Sequence, residues 1–127
     1  MMNNQEAFEI SVKHMFAQGQ QANIITDGVC RYRTDTGLKC AVGALIPDDQ
    51  YDESLEFNDV VSLMETNRLL FLKGVDPNFL MELQNIHDDI MSWNDEATFK
   101  NMLLALAEEF NLDSRFVNDL TLNKVKD

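Results

Sequence analysis

Residues 76–91 read Asp-Pro-Asn-Phe-Leu-Met-Glu-Leu-Gln-Asn-Ile-His-Asp-Asp-Ile-Met, and this stretch decides the fold class. Asp76 ahead of Pro77 has the form of an N-cap with proline at the first helical position, where a missing N–H costs nothing. Phe79, Leu80, Leu83, Ile86, Ile90 and Met91 then recur at intervals of three and four, which predicts a helix over 77–92 with one apolar stripe facing a core.

Further helices follow on either side. Asn3 and Glu6 are spaced as a capping box, and Phe8, Val12, Met15 and Phe16 keep helical spacing until Gly19 supplies a left-handed stop, so a helix is expected over 4–18. Asn94, Asp95 and Glu96 open another, carrying Phe99, Met102, Leu103, Leu106 and Phe110. Asp113 and Ser114 begin a short terminal one with Phe116, Val117 and Leu120, and residues beyond 122 are expected to fray. The later part of 48–65 has the pattern of a short amphipathic helix.

One segment has another character. Val29-Cys30-Arg31-Tyr32-Arg33 and Leu38-Lys39-Cys40 flank Thr34-Asp35-Thr36-Gly37, which predicts a short hairpin. A five-residue loop over 33–37 sets Tyr32 opposite Leu38 and Cys30 opposite Cys40, with Arg31, Arg33 and Lys39 on the other face. The run Cys40-Ala41-Val42-Gly43-Ala44-Leu45-Ile46 is small and apolar, suited to close backbone approach, and Pro47 ends it. The expected architecture is a single domain over 1–127, an α+β fold that is mainly α, with four or five helices and one short β-hairpin packed against the 77–92 helix.

Composition bounds what such a domain does. The chain has 127 residues and 45% apolar content, with no uninterrupted apolar run long enough to cross a bilayer, and its first residues are acidic where a secretory signal is basic. A cytoplasmic location follows as an expectation, with both cysteines reduced. Twenty-two acids against ten Lys and Arg give a formal charge of −12, and all of the excess lies after residue 45. Such a field disfavours direct binding to duplex nucleic acid, because phosphate affinity comes from basic clusters.

Four constellations are candidates for chemistry or binding. Cys40, His87 and Asp88 are the residue types of a thiol nucleophile, its base and an orienting acid. Successive side chains on a helix diverge by about 100°, so Asp88 is expected to orient His87 poorly. Cys30, Cys40, His14 and His87 are the residues on offer for a structural zinc site, although the cysteine spacing fits no common knuckle. Arg31, Arg33 and Lys39 form a compact cationic patch able to hold a small, nucleotide-like anion or to pair with the acids that follow. Asp48, Asp49, Asp52, Glu53, Glu56 and Asp59 form an acidic run without the glycine and spacing of a calcium loop, read either as a solvated face or as a surface for a basic partner.

Cys30-Arg31-Tyr32-Arg33, then Gly37-Leu38-Lys39-Cys40-Ala41-Val42-Gly43-Ala44-Leu45-Ile46-Pro47-Asp48, resembles the signature of small phage- and prophage-encoded proteins of no assigned activity, and Gln84-Asn85-Ile86-His87-Asp88 is similar to a second element found there. The resemblance spans roughly residues 5–110 and implies an origin rather than a mechanism. The functional expectation is a small acidic accessory protein, without a cofactor, that serves host takeover or defence by binding a host protein or sequestering a small anionic ligand. A thiol-dependent enzyme is the alternative.

Overall fold

A computed structural model describes residues 2–22, 31–56 and 58–123, with Ile90 and Met91 described as backbone alone. Among the described residues the chain is helical, with five α-helices and several single 3₁₀ turns, and no strand forms. Helix α1 spans Asn4–Gln18, α2 Val60–Glu65, α3 Pro77–Asp88, α4 Ile90–Asn94 and α5 Glu96–Glu109.

Helix α1 begins and ends as its sequence dictates. The Asn3 side chain accepts from the Glu6 N–H while Glu6 reaches back to the Asn3 N–H, and Gly19 closes the helix at φ 75°. A methyl group on Gly19 would lie 1.9 Å from the Asn123 carbonyl oxygen, because the segment around Asn123 returns along α1. There the Asn123 N–H donates to the Phe16 carbonyl, satisfying an end of the helix that its own backbone leaves open.

Helix α3 carries the stripe Phe79, Leu80, Leu83, Ile86 and His87 into the core. It packs against α2 on one side and α5 on the other, and Phe79 meets Phe8 and Phe110 edge-on. The expected helix over 77–92 is shorter than its periodicity suggests. It stops at Asp88, Asp89 is extended, and α4 restarts at Ile90. Side chains take over the last carbonyls: Ser92 Oγ donates to Ile86 O, Trp93 Nε1 to His87 O, and Gln21 Nε2 to His87 O and Asp88 O. Two adjacent carboxylates at the negative end of the helix dipole oppose further winding. Helix α5 starts one residue later than expected, with Asp95 as its cap.

The hairpin is replaced by a single antiparallel pair, Arg33 with Lys39. Two backbone bonds flank it, Thr34 N to Leu38 O and Cys40 N to Tyr32 O. The ladder goes no further because side chains claim the neighbouring N–H groups. Glu56 takes those of Tyr32 and Arg33, Gln18 that of Lys39 and Gln84 that of Val42. The register also differs from the expected one: Tyr32 lies across from Cys40 instead of Leu38, and the loop is tighter, with Gly37 at φ 89°. Because the shift is even, the faces keep their composition. Tyr32 and Cys40 point inward and are buried, while Arg33 and Lys39 share the outer side. Cys30, and with it the expected Cys30–Cys40 pairing, lies outside the described residues, as do residues 124–127; Asn123, expected to fray, is instead tied to α1 through Phe16 and Ala17.

The apolar run after Cys40 turns into a short 3₁₀ helix over Gly43–Leu45, with Gly43 and Leu45 buried. Gly43 is needed there for proximity, since a Cβ on it would sit 1.9 Å from the Tyr32 carbonyl oxygen.

Candidate functional site

His87 anchors the region where these pieces meet. It is fully buried, its Nε2 accepts from the Ala22 N–H at 3.1 Å, and its Nδ1 lies 2.9 Å from Asp88 Oδ1. A backbone N–H can only donate, so Nε2 holds the lone pair and Nδ1 carries the proton it gives to Asp88. The expectation that Asp88 orients His87 poorly is therefore wrong. Asp88 is the last residue of α3, and at the helix end its side chain folds back onto the ring. Gln84 Nε2 also donates to Asp88 Oδ1, at 2.9 Å, and the Trp93 indole stands edge-on to the imidazole.

Cys40 does not complete a catalytic set with them. Its thiol is fully buried, accepts from the Gly43 N–H at 3.1 Å, and is held strongly in the neutral form by burial. No hydrogen bond joins Cys40 to His87 among the described residues, and the imidazole lone pair a base needs is already occupied by Ala22. Of the zinc set, Cys30 lies outside the described residues. His14 Nε2 contacts Gln18 Oε1 at 2.9 Å and the Lys39 carbonyl at 3.3 Å, and burial lowers its pKa. Among the described residues no group of three or more His, Cys, Asp or Glu is placed to hold a metal ion.

The cationic patch is drawn inward. Arg33 donates from Nη2 to the Ile46 carbonyl at 2.6 Å, pairs through Nη1 with Asp48 at 2.8 Å, and lies over the Tyr51 ring. Lys39 approaches the same Asp48 at 3.9 Å. Arg31 is half-buried on the wall of a separate cleft. The three cations do not converge on one solvent-open anion site.

The acidic run divides into two roles. Glu56 is buried, and its carboxylate accepts from the Tyr32 N–H at 2.9 Å, the Arg33 N–H at 3.1 Å and the Tyr51 hydroxyl at 2.6 Å. It belongs to the scaffold and leaves the expected interaction face. The other five acids are exposed. Asp52 and Asp59 cap the turn at Glu53–Leu55 and helix α2, accepting from Ser54 N and Ser62 N, and those bonds hold both carboxyls below their ordinary pKa. Asp49 and Glu53 are exposed and do no capping.

The cleft that holds Arg31 has a volume of about 220 Å³ and lies between residues 31–32, Glu56 with residues 58–60, and the outer side of α3. Tyr32, Asn58, Asp59, Val60, Met81 and Asp88 are among its lining residues. The two sequence elements singled out above, around Tyr32 and around Gln84–Asp88, thus meet at one surface feature. Met81 was not anticipated, although it is an apolar residue off the buried stripe of α3 and 40% exposed. No family model, curated protein or solved structure matches the chain. No helix among the described residues is long and apolar enough to cross a membrane.

Proposed function

We propose that the protein works by binding, without chemistry of its own, and that it presents its exposed acidic segment to a basic surface on a partner protein, as suits a small accessory protein of phage or prophage type. The observation that carries this reading is the asymmetry of charge around residues 48–59. Asp48, Asp49, Asp52, Glu53 and Asp59 are exposed, whereas the nearby cations Arg33 and Lys39 are turned onto Asp48. In a chain of net charge −12 this leaves a negative surface whose field accelerates encounter with a basic partner and weakens with salt. The buried thiol and the occupied imidazole argue against the thiol enzyme, and the inward-turned guanidinium of Arg33 against capture of a small anion.

The test is a charge-removal variant that spares the caps. Serine caps helices as well as aspartate does, so Asp49→Asn, Asp52→Ser, Glu53→Gln and Asp59→Ser together discharge the segment and keep its turns. A tagged chain expressed in its native cell should recover a basic partner in a salt-sensitive manner, and the quadruple variant should lose it with an unchanged melting curve. Full recovery by a folded quadruple variant would overturn the reading.

A further inference from the structure

Resting on that reading, we propose that the cleft beside α3 receives a lysine or arginine side chain of the basic partner. Three features of the cleft converge on this ligand. Its charge is negative, with Glu56, Asp59 and Asp88 at its walls against one cation, Arg31, among the described residues. Its size, about 220 Å³, suits one long side chain. Its wall also carries apolar surface, from Val60 and from Met81, the latter 40% exposed on α3. A long basic side chain matches that combination, since its methylene stem covers apolar surface while its charged head reaches carboxylate.

The carboxylates are not equally available. Both oxygens of Glu56 are taken by Tyr32, Arg33 and Tyr51, and both of Asp59 by Ser62. Asp88 spends Oδ1 on His87 and Gln84, while its Oδ2 makes no hydrogen bond among the described residues and the side chain is 44% exposed. Asp88 is thus the acceptor for the incoming cation. His87, buried and anchored to Ala22, holds it in place as a positioning residue.

The experiment is an NMR titration of the isotope-labelled full chain with N-acetyl-arginine methylamide and N-acetyl-lysine methylamide, with the uncharged citrulline analogue as control. The Met81 and Val60 methyls and the Asp88 amide should shift saturably with the two cations and stay still with citrulline. Asp88→Asn keeps an acceptor for His87 and should weaken the response roughly two- to fivefold, the range of a partly exposed ion pair. Met81→Lys, at an exposed position, places a cation of the chain's own at the cleft and should block it. Equal shifts with citrulline, or methyls unmoved by all three probes, would overturn the cleft assignment. A parallel titration with a hexa-arginine peptide separates the two claims. Shifts confined to Asp49, Asp52 and Glu53 would remove the cleft and leave the acidic face standing, whereas no salt-sensitive shift anywhere would remove both.

Discussion

Glu56 offers the sharpest separation between an acid that folds the protein and an acid that faces solvent. Its carboxylate accepts two backbone N–H groups and one phenol, at 2.9, 3.1 and 2.6 Å, in a site the sequence presents as one more member of an exposed acidic run. Glu56→Gln keeps the shape and one acceptor oxygen, but turns an NH₂ toward either Tyr32 N–H or Arg33 N–H. The rotatable Tyr51 hydroxyl can adapt to that NH₂, whereas a backbone N–H cannot. One buried donor left without an acceptor costs about 1–3 kcal/mol, and the bonds that survive lose their charge assistance. The expected loss is about 2–4 kcal/mol, a large share of the stability of a domain this size. Urea melts followed by circular dichroism should show a lower midpoint with an unchanged slope. Asp49→Asn, a few residues away and exposed, should stay within about 0.5 kcal/mol of the parent. Tyr51→Phe should couple to Glu56→Gln by about 0.5 kcal/mol or more in a double-mutant cycle. A Glu56→Gln protein as stable as Asp49→Asn would refute the placement of Glu56 and return it to the surface.

Leu83→Ala, at a fully buried position on α3, should cost about 2–5 kcal/mol in the same melts, and a loss below about 0.5 kcal/mol would show that the stripe is not core. Gly43→Ala forces a methyl onto the Tyr32 carbonyl and should destabilise by about 1–3 kcal/mol; an unchanged midpoint would disprove the close approach. The capping carboxyls Asp52 and Asp59 are held below the ordinary value of 3.8 by the backbone N–H groups they accept, and Asp95 by the Thr98 hydroxyl first and the Ala97 N–H second. Their contribution is therefore complete above that value and lost as pH falls through the lower folded values, so stability should decline below about pH 4. Glu82 has the opposite sign, because its hydrogen bond with Glu109 raises its pKa. Its favourable contribution lies below the ordinary value and disappears as pH rises, so Glu82→Gln should raise the melting temperature at pH 7 and leave it unchanged at pH 4.

Where the sequence could be read, the cause was local. The cap of α1 at Asn3, its stop at Gly19, the proline start of α3 and the small residue at Gly43 each follow from interactions within a few residues or from one steric requirement. The hairpin failed for a non-local reason. Whether residues 31–33 extend as a strand depends on which acceptors meet their N–H groups, and the Glu56 carboxylate arrives from 23 or 24 positions away to claim two of them. Alternation of side chains along a strand survives that change, which is why Tyr32 and Cys40 share one side and Arg33 and Lys39 the other, although the pairing differs and Arg31 lies apart. The acidic run is ambiguous for a related cause: Asp52, Glu56 and Asp59 are identical in sequence terms to their exposed neighbours, and only the groups they meet make two of them caps and one a buried anchor.

The end of α3 shows how one such non-local choice brings the candidate site together. Apolar spacing alone carries the helix on through Ile90 and Met91, and a helix running on to residue 92 would keep the carbonyls of Ile86, His87 and Asp88 for its own ladder. In the folded chain those carbonyls are given instead to Ser92, Trp93 and Gln21, which ties α4 and the exit of α1 to this point. Ending the helix there leaves Asp88 at a terminus, where its side chain can fold back to His87 and still present a second oxygen at the cleft. Burial of His87 beneath it fixes the direction of that oxygen, because the imidazole is held from the far side by the Ala22 N–H. The break in periodicity and the shape of the cleft thus share one origin, in the competition for three carbonyl groups.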